Sequence, residues 1–481
     1  MKKAIFLVED IQENRPITLP EKILGKNVAD YDISVGYREI GAMLYNAPSD
    51  YITFKKVYEF MSEIGSGPLP ADHDVFYLVL TFSHIFQIDP SYFLLMDHDV
   101  KKFLLKHDIP LVFDSTNEGN RTHLGFHTLF KRMNQTAMSH EILPLLKLKF
   151  YLVGGERLDN VSDDFSKNID LQDYTHLSDL VGRDPSFYYA YFPSPFFFQM
   201  CHGHDNFTIA EETRDYAKER MVNFDFNDSF PIWKAYVARP RLSRIIFEIL
   251  SVKFDIRKYG IFRYQESRFQ YYHNMQYERL LDKMDFFNKY SVDKNLIHTM
   301  MPAQKLVYNQ SYDVDRPIDY DPLYRPNYYR PRGGNGVPFI RNSLTFVALE
   351  TNWIDHDFSV NKGYQTGTIL TEKTSTSIIS GVPFITCGAG NSKMILEEFG
   401  FQEYPSLELP DESHSYYLTE CEYVVNKIKH ITRLSLDEKK KLYKEWLPII
   451  LHNYETFFNV DIKYHYLKNL NQAAKLQPKY H

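Results

Sequence analysis

Short runs rich in β-branched and aromatic residues recur along the chain, separated by longer stretches whose apolar residues fall at helical spacing. Ala4–Val8, Val75–Thr81, Ile109–Phe113 and Phe150–Val153 form one series; Ala235–Ala238, Ile261–Tyr264, Leu344–Leu349 and Pro383–Cys387 form a second. Runs of this length alternating with helical segments predict an α/β fold with largely parallel sheets. In such sheets ligands collect beyond the carboxyl ends of the strands, so the residues just after each run are the first place to look for chemistry.

A chain of 481 residues is too long for one core. The change of series near residue 230 divides it into domains 1–229 and 230–435, with a charged tail, 436–481, that is helical over Leu436–Phe457 and expected to pack back across the domain interface. The Pro-, Tyr- and Arg-rich stretch Tyr308–Val337 reads as a long loop. No stretch approaches the roughly 20 apolar residues of a membrane span. The opening MKKAIFLVED has an apolar run too short for a signal peptide and is expected to be the first buried strand. Three cysteines, Cys201, Cys387 and Cys421, are far apart and odd in number, which favours a reducing cytoplasm over a disulfide framework. A formal charge of −7 argues against non-specific coating of nucleic acid, and the 36 Tyr and 36 Phe are read chiefly as packing.

The most informative stretch is Ile369–Ile385, ILTEKTSTSIISGVPFI: a polar turn with one acid and one base, a helix, a glycine turn and a buried strand. A carboxylate at a helix start can accept both hydroxyls of a ribose. An adjacent ammonium and the helix N-terminus can meet a diphosphate. Spacing alone equally allows a capped helix with a solvated Glu372-Lys373 pair.

The segment TEKTSTSIISGVPFITCGAGNSKMILEEFGFQEY resembles the donor-site region of the fucosyltransferase-like glycosyltransferases. Leu349-Glu350-Thr351, Phe399-Gly400-Phe401 and Asp411-Glu412-Ser413 match further features of that family, and Tyr236–Arg244, YVARPRLSR, resembles its Arg-Pro-Arg turn after the first strand of the donor domain. Where family members often carry Asn-Arg before the proline, this chain has Ala238-Arg239. The resemblance implies a GT-B type enzyme, two Rossmann-like domains facing a central cleft, with a nucleotide-sugar donor in the C-terminal domain and the acceptor in the N-terminal one. By the same resemblance Glu372 holds the ribose. Lys373 and one of Arg239, Arg241 or Arg244 hold the diphosphate, and Glu350 with Thr351 lines the site.

Inverting transfer needs a carboxylate to take the proton of the attacking hydroxyl. Glu118, in IPLVFDSTNEG, is the candidate base and Asp114 the reserve. The tetrapeptide Asp-His-Asp-Val occurs at Asp72–Val75 and Asp97–Val100 and is a pattern that can hold a divalent cation, but both copies lie in the half without the donor motifs. No metal ligands are therefore assigned, and no cofactor beyond the donor is expected. Cys201–Asp205, CHGHD, is read as a loop.

For the acceptor, Arg325, Arg330 and Arg332 interleave with aromatics in YRPNYYRPRGG, a composition suited to phosphate contact and base stacking. Since related donor domains occur in bacteriophage proteins, a hydroxymethyl pyrimidine in DNA is one expected acceptor and a surface glycan the other. UDP is the favoured carrier, with GDP next. The reading of another class is a non-catalytic protein that binds nucleotide sugar or nucleic acid.

Overall fold

All eight apolar runs are strands, with ends displaced by a residue or two, and they sort into two parallel sheets. The computed structural model describes residues 1–12, 15–17, 44–80, 96–114, 144–155, 157, 186–197, 211–237, 242–264, 294–296, 342–350, 370–388, 391–410 and 417–474. The chain divides into one unit of Met1–Cys201, Asp205–Phe207 and Asp461–His481, and another of His202–His204 and Thr208–Val460.

The first unit is built on β1 (Lys3–Val8), β4 (Ile52–Lys56), β5 (His73–Leu80), β6 (Leu111–Asp114), β7 (Lys149–Gly154) and β8 (Ser186–Tyr191). Their order is β4-β1-β5-β6-β7-β8, all parallel. A small hairpin, β2 (Asp10–Gln12) with β3 (Arg15–Ile17), follows β1. Helix α1 (Val57–Ile64) leaves β4, and α2 (His98–Lys106) precedes β6. Cross-strand register explains the aromatic richness. Phe6 pairs with Phe54 and Phe76, and Tyr151 pairs with Tyr188. Phe6 stacks on Phe76 at 5.2 Å and Tyr151 on Tyr188 at 4.9 Å, with Phe76 edge-on to Tyr151 at 5.9 Å, a ladder of rings across one face.

The second unit carries β9 (Trp233–Val237), β10 (Gly260–Tyr264), β11 (Thr345–Leu349) and β12 (Phe384–Cys387), in the order β10-β9-β11-β12, again all parallel. Its helices are α3 (Glu211–Val222), α4 (Leu242–Lys253), α5 (Glu372–Ser380), α6 (Ser392–Glu398), α7 (Tyr417–Thr432) and α8 (Leu436–Asn459). Trp233 is fully buried and donates to the Ile256 carbonyl at 3.0 Å. Gly260 lies so close against its indole that a Cβ there would fall 2.1 Å from the ring.

In both sheets the chain runs from its first strand outward to one neighbour and then returns to the other side. The order reverses between β1 and β5 in the first unit and between β9 and β11 in the second. A ligand crevice is expected beyond the carboxyl ends at such a reversal.

Two boundaries differ from the sequence reading. Helix α3 lies ahead of residue 230 yet belongs to the second unit, where Tyr443 of α8 donates to the Met221 carbonyl at 3.2 Å. The tail 436–481 is divided. Helix α8 starts on a Ser435–Glu438 capping box and stays with the second unit, where both ends of the Asn453 amide bind the Gln402 backbone at 2.8 Å. Helix α9 (Ile462–Ala473) belongs to the first unit. There Lys463 donates to the Tyr45 carbonyl, Tyr466 meets Phe6 edge-on and Asn469 donates to the Tyr191 carbonyl. Among the described residues no helix is long and apolar enough to cross a membrane.

Candidate functional site

Strand β11 is buried along its whole length and ends at Leu349; the Glu350 N–H then donates to the Cys387 carbonyl at 2.8 Å, extending the ladder one residue further. Glu350 therefore stands at the carboxyl end of a strand flanking the reversal of order. Helix α5 begins alongside, because Thr371 takes an extended conformation and its Oγ1 accepts the Lys373 N–H, an N-cap.

The Glu350 carboxylate, 1% exposed, is saturated by this helix start. Oε1 accepts the Thr371 N–H at 3.1 Å and the Thr374 hydroxyl at 2.6 Å, and Oε2 accepts the Thr371 hydroxyl. The Lys373 ammonium, itself nearly buried, donates to Thr371 Oγ1 at 2.9 Å and lies 3.8 Å from Glu350 Oε2. A carboxylate this far from water persists only with its lone pairs matched, and here backbone, hydroxyl and ammonium match them. The solvated Glu372-Lys373 pair that spacing allowed is corrected on the lysine side: Lys373 is buried, and its ammonium lies beside Glu350.

The rest of the TSTS helix is also buried, which its polar sequence conceals. Ser377 and Ser380 turn their hydroxyls onto the Val382 and Thr376 carbonyls at 2.7 and 2.6 Å. Gly381 closes the helix at φ +66°, and a Cβ there would come within 2.5 Å of the Met221 side chain, so the glycine is required twice over. Beyond β12, the buried Glu420 accepts the Gly388 N–H at 2.9 Å and holds the next strand end.

Of the other residues singled out on the donor side, Arg244 lies in the first turn of α4 and is 3% exposed. Glu372 opens α5, and its side chain lies outside the described residues, as do Arg239, Arg241 and Thr351. Arg325, Arg330, Arg332, Glu118 and the Cys201–Asp205 segment lie outside them too. The structure thus brings Glu350, Thr371, Lys373 and Thr374 together, although Glu350 and Thr371 are 21 positions apart in sequence.

In the first unit Asp114 ends β6, is 3% exposed, and accepts the Tyr466 hydroxyl at 2.7 Å. Burial, with Asp114 adding to it, raises the Tyr466 phenol well above its ordinary value. At the reversal itself stands a carboxylate that the apolar pattern alone does not single out. Glu9, directly after β1, is buried and accepts the Tyr77 hydroxyl at 2.7 Å; burial and then Glu9 hold that phenol well above its usual range. Beside it Asp10, drawn below the usual carboxylate range chiefly by its hydrogen bond with Lys56, pairs with that lysine at 3.0 Å. A signal for Glu9 exists in the sequence, since the first apolar run breaks off at Glu9-Asp10. The Asp97–Val100 tetrapeptide serves the fold, since Asp97 caps α2 and accepts the Asp99 and Val100 N–H groups at 2.8 and 3.4 Å.

No protein-family model matches the chain. No curated protein matches it. Among solved structures it is similar to a trehalose-6-phosphate synthase, OtsA, at 11% identity and a TM-score of 0.33, over 99% of this chain and 100% of that one.

Proposed function

We propose that the chain is a glycosyltransferase that takes its sugar from a nucleotide carrier held by the Thr208–Val460 unit. The observation that carries this reading is the meeting of Glu350, Thr371 and Lys373 at the carboxyl end of β11, beside the reversal of strand order. The same residues carry the resemblance to the fucosyltransferase-like donor motif. The Glu350 carboxylate fixes the start of α5, so that the Lys373 ammonium is preorganised for a diphosphate. The contact at 3.8 Å between Lys373 and Glu350 is the loosest in the cluster and is the one an incoming diphosphate would supplant. Glu372 would take the ribose, and the Arg239–Arg244 turn, which follows β9 on the other side of the reversal, would take the remaining phosphate charge.

On the acceptor side a carboxylate must draw the proton from the attacking hydroxyl. Asp114 accepts a hydrogen bond from Tyr466, and Glu9 accepts one from Tyr77. Glu118, the first choice from sequence, Asp114, its reserve, and Glu9, which stands at the reversal, are the acids we put forward. Direct displacement with inversion follows from that chemistry. UDP remains the favoured carrier and a hydroxymethyl pyrimidine in DNA the favoured acceptor, through the Arg325–Arg332 loop.

The test is transfer of label from UDP- and GDP-sugars to a hydroxymethylcytosine-containing duplex and, in parallel, to oligosaccharides, with the anomer of the product read by NMR. Transfer to the duplex with inversion supports the whole reading. Transfer only to oligosaccharides removes DNA, a retained anomer removes direct displacement, and no transfer from any sugar nucleotide removes the enzyme.

A further inference from the structure

The sequence holds three cysteines, and two of them, Cys387 and Cys421, stand 34 positions apart yet meet sulfur to sulfur at 3.4 Å. Both are reduced thiols and both are 0% exposed. Tertiary structure makes the pair, since Cys387 is the last residue of β12 and Cys421 lies in α7. A single buried cysteine packs as a small apolar side chain; two in contact have a chemistry that one lacks.

The backbone beside each sulfur is held as well. Gly388, next to one cysteine, donates its N–H to the carboxylate of Glu420, next to the other, at 2.9 Å. The Cys387 carbonyl accepts the Glu350 N–H at 2.8 Å, which keeps the strand end in its ladder. A disulfide has an S–S length of about 2.05 Å, so closing this pair asks for an approach of about 1.4 Å, which side-chain rotation supplies once the two backbones are placed. The bond would close a loop running from β12 through α6 into α7, and a closed loop restricts the unfolded chain more than the folded one.

We propose that Cys387 and Cys421 are a reversible disulfide site, oxidised by a small peroxide, that fastens the end of β12 to α7. One thiol gives up its proton and its sulfur attacks a peroxide oxygen; the O–O bond breaks, and a sulfenic acid and one water result. The second sulfur then attacks the first, the S–S bond forms, and the sulfenic hydroxyl leaves with the second thiol's proton as another water. Two electrons pass from the two thiols to the peroxide. Because neither sulfur is exposed, the oxidant enters by local opening of the fold, and the neighbouring thiol, already in contact, captures the sulfenic acid before a second peroxide does. The proposal does not depend on the donor site.

The test treats the folded full chain with hydrogen peroxide, alkylates the remaining thiols after denaturation, and reads the tryptic peptides by mass. Peptide 374–393 should be found joined to peptide 394–427, with the two parted again by dithiothreitol. The oxidised chain should melt about 5 °C or more higher than the same sample after dithiothreitol, a comparison that leaves any oxidised methionine on both sides. Cys421→Ala, or Cys387→Ala if the first does not fold, should show no change of midpoint on reduction. Absence of the joined peptides from the folded chain, their appearance only after unfolding in urea, a link through Cys201 or between two chains in their place, or a joined chain whose midpoint does not move on reduction would each overturn the proposal.

Discussion

Tyr466 and Asp114 lie 352 residues apart and share a 2.7 Å hydrogen bond in the interior of the first unit. The bond ties the last helix to the middle of the sheet, because α9 reaches that unit only after the chain has completed the second one. Tyr466→Phe keeps the ring that packs on Phe6 and Phe192 and removes only the hydroxyl. It should cost about 2 kcal/mol, the range for a buried hydrogen bond to a charged acceptor, read as a lower denaturation midpoint in urea.

The same burial makes the fold sensitive to alkali. Burial holds Tyr77 and Tyr466 well above the ordinary tyrosine value, and pushes Tyr151 up to about 12. Unfolded tyrosines ionise near pH 10, so above that the unfolded chain releases protons that the folded one retains. Stability from these groups is whole below about pH 10 and declines as the pH rises toward 12. Thermal melts over that window should show a falling midpoint, and Tyr151→Phe should make the fall shallower.

On the acid side, burial, assisted by Lys468, pushes His465 on α9 down to about 4. In the unfolded chain it would take up a proton near pH 6.5, so its contribution is complete above that value and is lost as the pH falls toward 4. His465→Gln should flatten the acid limb of the stability profile between those limits. An unchanged limb would place the acid sensitivity elsewhere.

Much of this architecture is legible in the sequence, because a strand buried on both faces announces itself as an unbroken apolar run. Strand β4, ITFKK, escapes: it sits at an edge of the sheet, only Ile52 is buried, and no apolar run marks it. Strand β8, SFYYAY, escapes for the opposite reason, since its Phe187-Tyr188-Tyr189 cluster is one among many aromatic groups that read simply as packing. The turn Thr371-Glu372-Lys373 is recognisable from sequence as a helix start. Its partner is not, because the pairing of Glu350 with Lys373 is made by two neighbouring strand ends and a helix, a relationship that local spacing does not encode.

Gly381 offers a sharper check on how α5 is held. Gly381→Ala must accept φ +66° and displace Met221, so it should destabilise the second unit by about 1–3 kcal/mol. Adding Met221→Ala should restore only part of the loss, since it relieves the contact and not the backbone. Full restoration would mean that the left-handed conformation contributes nothing.

The grip on the donor is tested most directly by equilibrium binding of UDP- and GDP-sugars to the wild-type chain and to Lys373→Met. A folded Lys373→Met should bind the preferred sugar nucleotide about tenfold more weakly or worse, from the loss of a charge-assisted contact. Equal affinity in Lys373→Met and wild type, or no saturable binding of either nucleotide sugar, would contradict it.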